Sequence, residues 1–285
     1  MSTVLSEAVP GQIRARLSSL GIQPGQVVRA TGKSITFHAQ MDAAAVVVKV
    51  LLTDDPMWVR HQQAEQAAYR TTEADACPLT TARMRFGDGQ ITILDRLPGQ
   101  VLHPDRYPRQ LPEPVVRRIL EHLDLIYTWR PDGLTRQPVT STYLDRHTAS
   151  GLLTSADRAA VDALLADGQP LRVEHGDPHS TNFLITGDSV AVVDLEHMGW
   201  HLAGLDWAML RLLWGPANPW LPTELQCSAE RDGVSGAYAV NLMLLACREW
   251  QIHLAEPDFA QLQPVLEANL TKARDHLHRT HRSMQ

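Results

Sequence analysis

Two hydrophobic periods follow one another along this chain, and the point where one gives way to the other divides it. Residues Glu7–Leu20 read as a short helix with Ile13, Leu17 and Leu20 on one face, ended by Gly21 and Pro24–Gly25. Gln26–Ala30 and Ser34–Gln40 read as strands around a turn at Thr31-Gly32-Lys33. Ala43–Leu52 is apolar throughout except for Lys49, so a buried strand is expected to carry a lysine that needs a partner. His61–Thr72 has helical composition and contains Glu65, and Arg83–Phe86 and Gln90–Leu94 flank a hairpin turn at Gly87-Asp88-Gly89. Beyond Leu97-Pro98-Gly99 the helical period dominates. Helices are expected over Pro114–Arg130 (stripe Val115, Ile119, Leu123, Ile126), Ala156–Ala166 (capped by Ser155, stopped by Gly168), Leu205–Trp214, Val234–Ile252 and Phe259–His278, with Gly215–Pro222 as a Pro-rich loop. The pattern predicts an α+β chain: a small β-rich lobe over residues 1–97, a crossover near Asp95–Gln100, a helical lobe over residues 98–285, and a cleft where they meet.

The candidate chemistry lies in the second part. An apolar strand runs through Val173 to His175-Gly176-Asp177, Asn182 follows five residues later, and a second short strand, Ser189–Val193, ends in Asp194. Phosphoryl transfer asks for this kit: one carboxylate beside the attacking hydroxyl, and an amide with a second carboxylate to hold magnesium. Asp177 is the expected catalytic base, with Gly176 permitting a tight turn before it. Asn182 and Asp194 are the expected magnesium ligands, oxygen donors as that ion prefers. Pairing with Glu65 would fix Lys49 so that it reaches the α- and β-phosphates of a nucleotide. Thr31, Gly32 and Ser34 would lay a turn over those phosphates, although the G-x-x-x-x-G-K-[ST] pattern is absent. The backbone of Asp95-Arg96-Leu97 would meet an adenine edge. Asp206 would brace the catalytic loop, and Glu196 would face the acceptor or assist the metal. His175, His179, His197 and His201 cluster here without the fixed spacing of a zinc set, and His175 reads as a packed support of the loop.

The run His175-Gly-Asp177-x-x-x-x-Asn182, then Asp194, then Gly204-Leu-Asp206-Trp-Ala, together with Lys49 and Glu65, resembles the aminoglycoside phosphotransferase and choline kinase-like family. The resemblance covers most of the chain. It implies a bilobal protein-kinase-like fold with ATP (or GTP) and Mg2+ at the interlobe cleft, Asp177 as the catalytic Asp, Asn182 and Asp194 on the metal, and Lys49 with Glu65 on the phosphates. The loop departs from the commoner family form at Pro178, Ser180 and Thr181, where Leu, Pro and Gly are frequent, and this bears on acceptor choice.

Composition narrows the partners. A net charge of −6 over 285 residues excludes non-specific nucleic-acid binding and suits a cationic ligand. Cys77, Cys227 and Cys247 are scattered and odd in number, which fits a reducing compartment. No signal core or membrane span is expected, so the cytoplasm is the expected location, with the protein a monomer or homodimer. By the resemblance, acidic side chains on C-terminal helices hold polyamine acceptors; the chain offers Glu224, Glu230, Asp232, Glu249, Glu256 and Asp258 there. The expected activity is phosphorylation of a hydroxyl on a basic antibiotic, an aminoglycoside or a viomycin- or capreomycin-type peptide, giving resistance. A metabolic kinase for choline, homoserine, methylthioribose or fructosamine is the alternative, and a catalytically silent kinase-like binding module is the alternative of another class.

Overall fold

The computed structural model describes residues 9–166, 168–257 and 259–285. The expected start of the first helix at Glu7 and the candidate acid Asp258 therefore lie outside the described residues. The chain forms two compact units. The first comprises Met1–Leu102, Trp129–Leu134 and Asn182–Met198; the second comprises His103–Thr128, Thr135–Thr181 and Gly199–Gln285.

In the first unit, helix α1 (Gly11–Ser19) precedes strands β1 (Gln23–Ala30), β2 (Ser34–Met41) and β3 (Ala44–Leu51), then helix α2 (Pro56–Ala74) and strands β4 (Thr80–Thr81), β5 (Met84–Gly87) and β6 (Ile91–Asp95). Five of these strands make one antiparallel sheet in the order β1-β2-β3-β6-β5. Pro24 and Gly25 do not precede β1, as the sequence suggests, but lie inside it at a register shift. They are tolerated there because β1 is an edge strand, where a missing donor costs no ladder bond. One face of the sheet is the core: Ile35, Phe37, Val46, Val48, Val50, Ile91 and Ile93 are fully buried, packed with Ile13 and Leu17 of α1. Each such side chain contributes about 1.5–3 kcal/mol by leaving water. The strand holding Lys49 is not uniformly buried. Val46, Val48 and Val50 alternate with Val47 and Lys49, so the lysine stands on the opposite face from the core. A second small sheet, β4-β10-β9-β7, contains β7 (Gln100–Val101), β9 (Phe183–Thr186) and β10 (Ser189–Val192).

The second unit is helical around the two-stranded sheet of β8 (Leu171–Glu174) and β11 (Gly199–Leu202). Its helices are α3 (Glu113–Tyr127), α4 (Ser141–Ala149), α5 (Ser155–Ala166), α6 (Leu205–Trp214), α7 (Leu221–Arg231), α8 (Ser235–His253) and α9 (Phe259–Ser283). The buried stripe of α3 is Val116, Ile119, Leu123, Ile126 and Tyr127, with Val116 replacing the expected Val115. The cap of α5 is Thr154 and not Ser155. Asp157 N–H donates to Thr154 Oγ1, and Thr154 N–H donates to Asp157 Oδ2, a reciprocal capping box. Several elements escape the sequence pattern, three of them for a visible reason. Helix α4 buries only Leu144 and His147, too few for a visible stripe. Helix α7 begins inside the expected Pro-rich loop, because Pro222 occupies its first turn, where the ring suits the helix. Strand β11 needs Gly199: a Cβ there would lie 2.5 Å from the carbonyl of Thr135. Among the described residues no helix is long and apolar enough to cross a membrane.

Candidate active site

The first unit assembles a charged cluster from side chains far apart in sequence. The Lys49 ammonium lies 2.7 Å from Glu65 Oε2, 3.1 Å from Asp194 Oδ1 and 3.3 Å from Glu196 Oε2. Burial works against the charge of Lys49, but Glu65, Asp194 and Glu196 outweigh it and hold the ammonium well above its ordinary range. Three carboxylates around one lysine leave a surplus of negative charge, and it falls on the acids. Burial pushes Glu65 up to about 7, with Lys49 opposing the rise and Asp194 adding to it.

Asp194 follows β10 in a left-handed conformation, φ 62°, which a non-glycine residue seldom adopts and which Asp tolerates better than most. Its N–H donates to the hydroxyl of Tyr69, a buried residue one turn beyond Glu65 on α2. Asn182 is 6% exposed, and its carbonyl accepts from the N–H of Val193, so its backbone runs beside that of Asp194. Glu65, Asp194 and Glu196 present carboxylate oxygens within 4.8 Å of one another. A donor set of hard oxygens with net negative charge fits magnesium, which takes one or two carboxylates and completes its shell with water and phosphate.

The turn between β1 and β2 is held locally. The N–H groups of Lys33 and Ser34 donate to Thr31 Oγ1, and Thr31 N–H donates to the carbonyl of Ser34. A side chain at Gly32 would meet nothing within 4 Å, so sterics do not demand the glycine. Lys33 carries no sign of function in the sequence beyond its place in this turn. Its ammonium stands 3.2 Å over the Trp58 ring; burial lowers its pKa, with Glu196 and Asp194 acting in the opposite direction. Further along, the N–H of Asp95 donates to Arg83 and that of Arg96 to Ala45, while the Asp95 carboxylate pairs with Arg85. Leu97 follows, half-buried.

In the second unit, β8 delivers Glu174 and His175, both fully buried, and Gly176 turns the chain at φ 82°. Asp206 accepts from the N–H groups of His175 and Gly176 at 2.7 and 2.8 Å. Glu174 accepts from the N–H groups of Gly204 and Asp206 at 2.7 and 3.1 Å. Burial and the neighbouring Asp206 raise the Glu174 pKa well above the carboxylate range. The loop before Asp177 is therefore clamped through its backbone by a buried acid pair, of which only Asp206 stands out in the sequence.

Asp177 itself meets two positive or protonatable groups. Oδ1 lies 2.9 Å from Nε2 of His179 and 3.4 Å from Nη2 of Arg248. Arg106 Nη1 lies against the same ring, 2.5 Å from Nε2 and 3.0 Å from Nδ1 of His179. Arg106 also grips Glu249 with two bonds, at 2.8 and 2.6 Å, and Tyr107 O–H donates to the same carboxylate at 2.7 Å. Burial opposes ionisation of Glu249, yet the bonds and charge of Arg106 hold its pKa below the ordinary value. Of the acids suggested to meet a cationic acceptor, Glu249 is thus already paired with Arg106, and Asp232 with Arg172 and Arg231. Glu224, Glu230 and Glu256 are exposed. No local pattern marks Arg106 or Arg248; only the fold brings their carboxylates to them.

Comparison with known proteins adds independent findings. Residues 4–239 match the model of the phosphotransferase enzyme family. No curated protein gives a significant match. Among solved structures, a choline/ethanolamine kinase family protein from Mesorhizobium loti is similar over 95% of this chain and 98% of its own, with TM-score 0.65 and 17% identity. A thermostable mutant of aminoglycoside phosphotransferase APH(4)-Ia, in a ternary complex with AMP-PNP and hygromycin B, is similar over 96% and 99%, with TM-score 0.63 and 15% identity. Aminoglycoside phosphotransferase APH(2'')-Ib with ADP bound is similar over 94% and 99%, with TM-score 0.61 and 13% identity. The α+β, protein-kinase-like fold expected from the sequence is the fold these chains share.

Proposed function

The chain belongs to the phosphotransferase enzyme family, and from that membership we propose that it moves the γ-phosphoryl group of ATP, or GTP, to a hydroxyl of a small molecule. The observation that carries this reading is the cluster in the first unit, where Lys49 is held by Glu65 with Asp194 at its side. Lys49 would reach the α- and β-phosphates, and the turn Thr31-Gly32-Lys33-Ser34, its other N–H groups engaged within it, would add the N–H of Gly32 and a second ammonium, that of Lys33. The backbone about Asp95 and Leu97 would take the adenine edge. Asn182 and Asp194 would hold Mg2+, with Glu196 beside them. The bound ion would supply charge neutralisation on the phosphate oxygens. Asp177 orients the acceptor hydroxyl and takes its proton late, as the new O–P bond forms and the bond to the departing nucleoside diphosphate breaks. The Glu174–Asp206 clamp fixes the backbone that presents Asp177. Three free cysteines suit the reducing cytoplasm as the place of action.

For the acceptor, the first reading is a basic antibiotic, an aminoglycoside or a tuberactinomycin-type peptide, whose inactivation confers resistance. The ternary complexes of similar fold and the exposed acids Glu224, Glu230 and Glu256 support it. A second reading is a metabolic acceptor bearing a carboxylate, of the homoserine kind. It is favoured by the guanidinium of Arg248 at Asp177 and by the pairing of Glu249 with Arg106. An ATP-consumption panel of aminoglycosides, tuberactinomycins, choline, homoserine, methylthioribose and fructosamine separates them. Asp177→Asn tests the reaction itself: turnover should fall by orders of magnitude while nucleotide affinity stays, and unchanged turnover would overturn the assignment.

A further inference from the structure

We propose that His61, His197 and Glu196 form a binding site for a borderline divalent cation of the zinc type, separate in chemistry from the oxygen set suited to magnesium. Helix α2 places His61 one turn before Glu65, and the short turn Leu195–His197 that follows Asp194 brings Glu196 and His197 to it. The three side chains present ligand atoms within 4.8 Å of one another. Glu196 Oε1 and His197 Nε2 are 3.5 Å apart, close to the roughly 3.3 Å edge of a tetrahedron with zinc–ligand bonds of about 2.0 Å. The two rings meet edge to face, at 89° with centroids 5.0 Å apart. Nδ1 of His61 is buried and has no hydrogen-bond partner, a lone pair or N–H that the packing leaves unsatisfied.

Two imidazoles and one carboxylate are the donors that zinc, cobalt and nickel take, with an open position for water, whereas magnesium demands oxygens. Along the chain, His197 and His201 are four apart, but in a segment without helical periodicity. The fold pairs His197 instead with a histidine on α2. Glu196 links this site to the cluster already described: Oε1 faces His197 and Oε2 faces Lys49. A metal drawing on Glu196 competes with Lys49 for it. Resting on the kinase reading, this makes zinc an inhibitor that loosens the lysine's setting; the site itself does not depend on that reading.

The full-length protein, freed of metal, is titrated with Co2+ and followed by visible absorption, and Zn2+ binding is measured by equilibrium dialysis. One equivalent should bind, with a nitrogen- and oxygen-ligated cobalt spectrum and displacement of Co2+ by Zn2+. His61→Gln and His197→Gln should each weaken binding at least about tenfold, since even the outer partners of metal ligands cost that much when lost, while Asp194→Asn leaves it in place. Circular dichroism confirms that each variant is folded, and if His61→Gln is not, His61→Asn replaces it. Binding that is absent in the parent, that survives both histidine changes, or that shows thiolate charge-transfer bands from Cys77 or Cys227 overturns the proposal. If cobalt binds as expected but zinc leaves phosphoryl transfer unaltered, the site stands and the inhibition falls.

Discussion

The ammonium of Lys49 lies 2.7 Å from Oε2 of Glu65, a carboxylate that is 2% exposed, while Asp194 and Glu196 sit at 3.1 and 3.3 Å from the same nitrogen. The buried Glu65 depends on this cation, and the cation has three acids to choose from. That asymmetry sets the expected cost of each substitution. Lys49→Met strands a buried carboxylate with two like charges beside it and should cost about 3–5 kcal/mol. Glu65→Gln leaves Lys49 paired with Asp194 and Glu196, so its cost should be smaller, about 1–3 kcal/mol from imperfect hydrogen bonding. Urea denaturation of the two variants tests the order. Equal losses would show that Asp194 and Glu196 do not share the lysine.

Much of this cluster is legible in the sequence. A lysine among valines is conspicuous, because only a partnered lysine survives in such a strand, and Glu65 stands on the next helix. The Asp177-to-Asn182 spacing and the strand that ends in Asp194 are equally plain. Chemistry shared across long separations leaves no such trace. Arg106 meets Glu249, Glu174 meets Asp206, and His61 meets His197 only once the chain is folded. The strand around Lys49 reads as uniformly buried for a related reason: small apolar residues on its less buried face mask the period of two. Helix α4 hides for the opposite one, since two buried residues make almost no apolar stripe.

Glu249 is the residue for which structure and sequence suggest different tasks. It accepts two bonds from Arg106 and one from Tyr107 and is 2% exposed. Glu249→Ala removes the partner of a largely buried guanidinium and should cost about 3–5 kcal/mol of stability. Combined replacement, Glu249→Leu with Arg106→Met, should recover much of that loss, because neither charge is then left alone. Chemical denaturation of the single and double variants measures it. A raised KM for a cationic acceptor with unchanged stability would mean that Glu249 serves the ligand and not the fold.

The clamp beneath Asp177 predicts a contrast between its two acids. Burial and Asp206 raise the Glu174 pKa well above the carboxylate range, so Glu174→Gln keeps the shape and loses no favoured charge, but its amide nitrogen cannot accept, and one of the N–H groups of Gly204 and Asp206 is orphaned at about 1–3 kcal/mol. Asp206→Ala leaves the N–H groups of His175 and Gly176 without their acceptor, at about 1–3 kcal/mol for each buried orphan. Thermal denaturation should rank Asp206→Ala, with two orphaned donors, below Glu174→Gln, with one. Because the orphaned amides belong to the turn that presents Asp177, kcat should fall with Asp206→Ala even at temperatures where the variant is fully folded.

His147 supplies a pH dependence of known sign. The ring is fully buried, neither nitrogen has a hydrogen-bond partner, and Tyr143 meets it edge-on with centroids 4.6 Å apart. Burial, helped by Arg146, lowers its pKa to about 4. An unfolded histidine titrates near 6.5, so between about pH 6.5 and 4 the unfolded chain binds a proton that the folded chain refuses. Stability from this group is therefore complete above about pH 6.5 and is lost as pH falls, by up to about 1.4 kcal/mol per pH unit. His147→Phe keeps the flat ring and its contact with Tyr143 but has no proton to take up. The variant should match or exceed the parent in stability at pH 7. Its advantage should widen steadily from pH 6.5 down to 4, read as the difference between two sets of urea midpoints. His276, also lowered to about 4 by burial, continues to act in the same sense in both proteins, so the difference isolates His147. Parallel curves across that window would mean that the ring at position 147 finds a proton or a partner in the folded protein.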